Sequence, residues 1–446
     1  MVSGDRSWRF LPQSLQKQHE LLLKSSLGKI YQVIPWKKMV KVLKIKESRK
    51  GPTAIFSPRG KIALMFLKAY SQTSDKRLIE QINGNIHYQF FCGIRIAAGK
   101  ELKNHKMISQ VRCELAQALD IEKLQSLFAE SWSPYLYQKS KILIDATCYE
   151  SSVRYPTNQK LLWESVLFLY ASMKYMFKKA GIRLIRTKFK DWEKRYNSYS
   201  RKRRKPKKEK IALTRGLLRL LEKLDKALDG LEKQYEFENE KIYQKQRKVI
   251  KLVLKQQQQL FHYGELPKNR IVSLFKPYLR PIVRGKEIKK VEFGAKVNKI
   301  QIDGINFIQY LSFDPFNEGT KFQDSIHQAQ QITGIKIRKV GADAIYATNA
   351  NRKFATSSGI RTDFVRKGRP GKNEAERKEI ARNLKKERAS SLEGSFGNEK
   401  EHYSLKRIRA RTKKTEILWI FFGIHTANAV QIGHRMNTAL FMRQAA

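Results

Sequence analysis

The chain is 446 residues long, enough for two or three folding units, and its Lys and Arg outnumber Asp and Glu by 91 to 40. The resulting charge of +51 runs from end to end and calls for a polyanionic partner. Nucleic acid fits best, since each phosphate neutralised releases condensed counterions, with an acidic membrane surface as the rival.

Apolar stretches such as 161–177 and 417–424 are interrupted or too short to cross a bilayer, so no membrane span is expected. Three cysteines without metal-ligand spacing argue against a disulfide framework and a zinc finger. The opening residues MVSGDRSWRFLPQSLQKQHE lack the continuous apolar core and cleavage site of an export signal, so a cytoplasmic, nucleoid-associated protein is expected. From about residue 21 to 135, short amphipathic runs separated by polar breaks predict a small all-α unit. Runs at 61–70 and 75–83 are split by Gln72-Thr73-Ser74, which offers an N-cap; runs at 108–119 and 121–132 are split by Asp120, which offers another. Both pairs read as helix-turn-helix units or as plain scaffold. In the first pair Lys76, Arg77, Gln81 and Asn83 fall on the second helix, residue types that reach phosphates and base edges.

Near residue 140 the pattern changes, because Ile142-Leu143-Ile144-Asp145 reads as an apolar strand ending in a carboxylate. The chain then turns helical to about residue 263. Leu217, Leu221, Leu224, Leu228, Leu231 and Tyr235 alternate at spacings of four and three, a packing seam that reads as an antiparallel hairpin or as a coiled coil between chains, its length of under three heptads favouring the hairpin. The basic block 201–208, with Arg203 and Arg204, is a solvated face or a grip on DNA phosphates. A strand at 291–302, the turn Asp303-Gly304 and a strand at 307–313 predict a meander. A helix at 323–333, a strand at 336–340 followed by Gly341-Ala342-Asp343, and a strand at 361–366 come next. Then follow a charged helix at 373–386 and an apolar helix at 416–430 expected to cover the sheet. This order predicts an RNase H-like α/β domain with a mixed sheet over 138–446, interrupted by a helical, basic insertion at 159–280 and preceded by a helical DNA-binding domain at 1–137.

Asp145 and Asp343 both follow apolar strand residues, and neighbouring strands can bring them to one cation. Carboxylates and phosphate oxygens suit Mg²⁺, with Mn²⁺ as substitute, and two ions can clamp the attacking and leaving oxygens of a phosphodiester. A third ligand is expected from Arg388-Ala-Ser-Ser-Leu-Glu393-Gly-Ser-Phe-Gly-Asn-Glu-Lys400. Glu393 and Lys400 lie seven apart, within about 20° of one helix direction, so an acid for metal and a cation for phosphate share a face. Gly394 and Gly397 suggest a close approach of backbone or substrate there. Singly, each acid also reads as a cap, a turn residue or a surface residue.

Five segments together resemble one family, the DDE transposases of bacterial insertion sequences. IDATCYESSVRYPTNQKLLWE (144–164) is similar to its first-aspartate block, and RPIVRGKEIKKVEFGAKV (280–297) to its Arg-Pro-Ile, Arg-Gly-Lys and Glu-Phe-Gly-Ala-Lys run. VGADAIYATNANRKF (340–354) resembles the second-aspartate block, LEGSFGNEKEHYSLKRIRARTK (392–413) the glutamate block, and 56–93 the family's short helical N-terminal domain. The resemblance implies that Asp145, Asp343 and Glu393 ligate metal and that Lys400 contacts DNA near the scissile phosphate. Tyr346, Asn349 and Arg352 would support the site, touch the DNA backbone, or stabilise the fold. Many relatives carry an Arg four residues before the glutamate; here that place is Ala389 and the Arg is Arg388. In a straight helix five residues rotate by about 140°, which takes Arg388 off the glutamate's face.

The activity implied is transposition: binding of the element's terminal inverted repeats, metal-dependent hydrolysis at each end, and attack of the freed 3′-hydroxyl on target DNA, with a homodimer holding both ends. The competing readings are a non-enzymatic nucleic-acid-binding protein and a metal-dependent nuclease or resolvase on the same fold.

Overall fold

Helix starts in this chain are written by short polar caps. A computed structural model describes residues 3–4, 13–46, 54–234, 241–283, 291–371 and 373–445. Tyr235 of the leucine seam and residues 284–290 of the Arg-Gly-Lys run lie outside them. The chain divides into two units: residues 1–152 with 294–446, and residues 153–293.

The first unit opens with helices α1 (Gln13–Lys24), α2 (Ser26–Val33), α3 (Trp36–Val42), α4 (Pro58–Ser71), α5 (Asp75–Gly84), α6 (Ile86–Cys92), α7 (Lys106–Ala118) and α8 (Ile121–Trp132), and a two-residue ladder pairs β1 (Ser3–Gly4) with β2 (Ile94–Arg95). Ser57, Ser74, Asn85 and Asp120 each accept a backbone N–H from the first turn that follows, so both predicted helix pairs are present with their caps. Cys92 and Cys148 are buried and Cys113 is exposed, all three free.

The mixed sheet of this unit has the order β6-β5-β3-β7-β8, built from β3 (Lys141–Glu150), β5 (Val291–Ile302), β6 (Ile305–Ser312), β7 (Lys339–Ala342) and β8 (Arg361–Thr362). Asp303 and Gly304 both have positive φ, as a two-residue hairpin turn between β5 and β6 requires. Strand β3 pairs antiparallel with β5, from Ile142 opposite Ile302 to Glu150 opposite Gly294, and parallel with β7 from Lys141 to Ile144. A Cβ on Gly294 would lie 2.0 Å from the carbonyl oxygen of Tyr149, so only glycine lets the strands approach there.

Helices α13 (Phe322–Thr333), α14 (Asn349–Ser357), α15 (Glu374–Glu387), α16 (Glu393–His402) and α17 (Lys413–Ala445) complete the unit. Leu143 packs with Leu384 and Leu392, so α15 and the turn after it cover the face of β3 that also carries Asp145 and Thr147. Helix α17 does more than cover the sheet. It touches β6 on one side and α2, α4 and α7 on the other, which is why it is apolar nearly all round. Phe66 meets Phe422 at 4.9 Å, and Phe128 stacks on Trp132 at 4.5 Å and faces Phe421 at 6.1 Å, so the leading helices and the sheet share one core.

The second unit is helical: α9 (Asn158–Lys179), α10 (Phe189–Arg201), α11 (Lys207–Gln234) and α12 (Lys241–Tyr263), with β4 (Pro281–Val283) paired antiparallel to 291–293. Leu217, Leu221, Leu224, Leu228 and Leu231 are buried in one core with residues of α9 and α12, the intramolecular packing predicted for the seam. Trp192 of α10 presses so closely on Gly216 that a Cβ there would lie 2.0 Å from the indole.

Candidate active site

Strand β3 does not end at Asp145 but runs on to Glu150; what ends beside Asp145 is its parallel partner β7, at Ala342. Asp145 therefore sits where one flank of β3 loses its neighbour, and Asp343 is the first residue past β7. The predicted strand at 361–366 is reduced to Arg361–Thr362, because the buried Asp363 carboxylate leaves the ladder to accept the Ala342 N–H at 3.0 Å. That bond fixes the residue before Asp343. Asp343 itself accepts the Ala344 N–H at 2.7 Å and caps a single 3₁₀ turn, with its side chain about half exposed.

Glu393 reaches the two aspartates through an irregularity in the helix. Residues Arg388–Leu392 form a π-helical turn between α15 and α16, in which the Glu393 N–H bonds back to the Arg388 carbonyl five residues earlier. That wider turn brings Arg388 and Glu393 to the same side, contrary to the straight-helix expectation. The Arg388 guanidinium then stands among all three acids: Nη1 is 3.6 Å from Asp145 and 3.2 Å from Glu393, and Nη2 is 3.7 Å from Asp343. Among the described residues no three Asp, Glu, His or Cys side chains are gathered closely enough to hold a metal ion; these three have an arginine between them.

Helix α16 is fixed to the sheet by a buried polar network. Glu399 lies 2.7 Å from Lys299 Nζ, accepts from Asn306 at 2.9 Å and accepts from the Tyr149 hydroxyl, all side chains out of solvent. Lys299 is the residue opposite Asp145 on β5, at the point where the register between β5 and β6 shifts. The next residue, Lys400, donates to Thr147 Oγ1 at 3.0 Å, two residues along β3 from Asp145 and on the same face. A Cβ on Gly394 or Gly397 would meet no atom within 4 Å, so neither glycine admits a neighbouring backbone.

Burial pushes the Asp145 carboxyl up to about 6; the Ala146 N–H and Arg388 pull the other way, while Glu318 and Asp343 add to the rise. Glu318 is a nearby acid that the sequence did not single out. It is paired at 2.8 Å with Lys296, and the lysine's place in the Glu-Phe-Gly-Ala-Lys run was the signal available for it.

Other predicted residues are occupied elsewhere. Tyr346 is fully buried and donates to the Asn298 side chain; Arg352 donates to the carbonyls of Ala347 at 3.0 Å and Val365 at 2.6 Å; Asn349 accepts from Lys367 at 2.9 Å. Lys76 and Arg77 are exposed on α5, whereas Asn83 spends both amide atoms on the backbone of Leu102. Arg203 and Arg204 are exposed between α10 and α11 of the second unit.

Two family descriptions match the chain: Transposase domain (DUF772) over residues 13–114 and Transposase DDE domain over residues 340–424. No curated protein and no solved structure matches it. The first span holds Lys76 and Arg77; the second holds Asp343, Glu393 and Lys400. A DDE domain belongs to DNA-cutting enzymes that in general use divalent metal ions, and it carries the RNase H-like fold, whose sheet order is the one described above. The two matches together support a DDE transposase of an insertion sequence.

Proposed function

We propose that the chain binds the terminal inverted repeats of its element and performs metal-dependent cleavage and strand transfer, with Asp145, Asp343 and Glu393 as the metal-holding carboxylates. The observation that carries this reading is the convergence of three acids, from the middle of β3, the end of β7 and a distant helix, on one positive charge. The donor set suits a hard cation, since it offers carboxylate oxygens and no sulfur or imidazole. Arg388 stands in for that cation and has to withdraw for the acids to close on it. A bound Mg²⁺, or Mn²⁺ in its place, would supply charge stabilisation at phosphorus and a more acidic water.

The chain's own residues do the rest. Lys400, held beside Thr147, lies on the same sheet face as Asp145 and is suited to bind a phosphate oxygen and fix the strand across the acids. Water attacks phosphorus, the bond to the 3′-oxygen breaks, and a 3′-hydroxyl and a 5′-phosphate are left. The same 3′-hydroxyl then attacks a target phosphodiester and expels the target's 3′-oxygen. Lys76, Arg77, Arg203 and Arg204 are proposed as contacts to duplex DNA, within a helical N-terminal region at 1–137 and a helical insertion at 159–280. A homodimer would hold the two ends together. Among the described residues no helix is long and apolar enough to cross a membrane.

Single substitutions test the reading. Asp145→Asn, Asp343→Asn and Glu393→Gln should each abolish Mg²⁺-dependent cleavage of DNA carrying the element's ends and leave binding of those ends nearly unchanged. Cleavage surviving any one of them would remove that acid from the site. Products joined to a target plasmid separate a transposase from a nuclease, which would yield cut ends only.

A further inference from the structure

A second charged cavity, of about 500 Å³, opens beside Lys400, between α5 and α7 on one wall and the segment from α16 to α17 on the other. Its floor is Lys68 and Arg112, only 5% and 7% exposed, which share the single carboxylate of Asp75 at 3.0 and 2.8 Å. Both cations also lie over the Trp419 indole, at 5.5 and 4.8 Å from its centre. Lys406, Arg407, Arg409 and Lys400 complete the basic wall, and the lining acids are Asp75 and Glu401, the latter 2.8 Å from Lys406. Two nearly buried cations on one anion leave a positive charge that low dielectric makes costly, and a bound anion relieves that cost. Burial and the fields of Arg112 and Arg409 lower the Lys68 pKa, with Asp75 opposing, which marks the crowding of positive charge.

We infer that this cleft seats backbone phosphates of the substrate DNA next to the phosphodiester held at the carboxylates. Lys400 lines the cleft and also reaches Thr147, so one side chain joins the two places. The walls come from both transposase spans, 13–114 and 340–424, which gives the leading helices a part in gripping DNA beside the cut. Arginine and lysine over an indole, with the Thr73 and Ser74 hydroxyls at the rim, suit phosphate oxygens and the edge of a sugar. The inference rests on the proposed reading of Asp145, Asp343 and Glu393.

The test is titration of the full chain with a generic short DNA duplex, followed by anisotropy and by tryptophan emission over a salt series. Duplex should change the emission of the parent chain, and Trp419→Phe should lose that change while still binding. Arg409→Ala, at an exposed position, should flatten the slope of log affinity against log salt by about 0.9, the share of one phosphate that the arginine had neutralised. Lys24→Ala, exposed on α1 and outside the cleft, should leave the slope as it is. An unchanged slope in Arg409→Ala, or an emission change that survives Trp419→Phe, overturns the inference. An equal emission change from inorganic phosphate at matched phosphate concentration would overturn it in favour of a free-anion site. None of these readouts needs cleavage, so an Asp145→Asn chain that still cuts would sink the carboxylate reading and leave the cleft measurement standing.

Discussion

Arg388 is the residue on which the local chemistry turns. Its guanidinium faces three carboxylates, yet its Nε is buried and makes no hydrogen bond among the described residues, so the side chain is held by charge more than by a full set of bonds. Removing it leaves the acids to repel one another and clears the place of a cation. Arg388→Ala should therefore melt lower than the parent chain without divalent metal and gain more from Mg²⁺ or Mn²⁺. A tenfold tighter site adds about 1.4 kcal/mol at saturating ion. Thermal melts with and without metal check this, and equal metal-induced shifts in the two chains would refute it. The sequence shows an arginine one place off its usual spacing. It does not show the π-turn that absorbs the extra residue, because helical periodicity assumes the turn it is meant to detect.

At the scale of the element, α16 carries Glu393 and Lys400, and Glu399 locks it to the sheet. A buried ion pair adds little net stability compared with apolar residues of similar volume, but removing one partner strands the other. Glu399→Gln should cost about 3–5 kcal/mol by chemical denaturation and reduce cleavage with it, whereas Lys299→Met with Glu399→Leu should recover much of the stability. A loss below about 1 kcal/mol in the single variant would contradict this role. Most elements were legible in advance, since caps such as Ser74 and Asp120, the Asp303-Gly304 turn and the leucine seam act over a few residues. Glu399 was not, because its partners Lys299, Asn306 and Tyr149 are distant in the chain and it stands in a charged run that reads as surface. The true length of β3 was hidden for a similar reason: whether a strand continues past Asp145 depends on which neighbour stops there.

For the molecule as a whole, the leading helices and the RNase H-like sheet are joined through α17, and His425 lies at that junction. It is fully buried beside Phe128 and Phe421, and burial, aided by the field of Lys299, lowers its pKa to about 3. The folded chain thus keeps His425 neutral while the unfolded chain takes up a proton below about 6.5, so its contribution is present above that pH and is lost as pH falls toward 3. The loss should reach about 1.4 kcal/mol per pH unit within that window. His425→Gln should be less stable at pH 7, with the gap to the parent chain closing as the pH falls; parallel curves would contradict the assignment.

The proposed carboxylate centre draws on both halves of the sheet domain, with Asp145 before the helical unit and Asp343 and Glu393 after it. Its most direct test is plasmid cleavage by the full chain and by Asp343→Cys, on DNA carrying the element's ends, in Mg²⁺ and in Mn²⁺. If Asp343 holds the metal, the parent chain cuts in either ion, and the thiolate variant fails in Mg²⁺ and regains cutting in the more sulfur-tolerant Mn²⁺. Cutting by Asp343→Cys in Mg²⁺ at the parent rate would contradict the three-carboxylate centre.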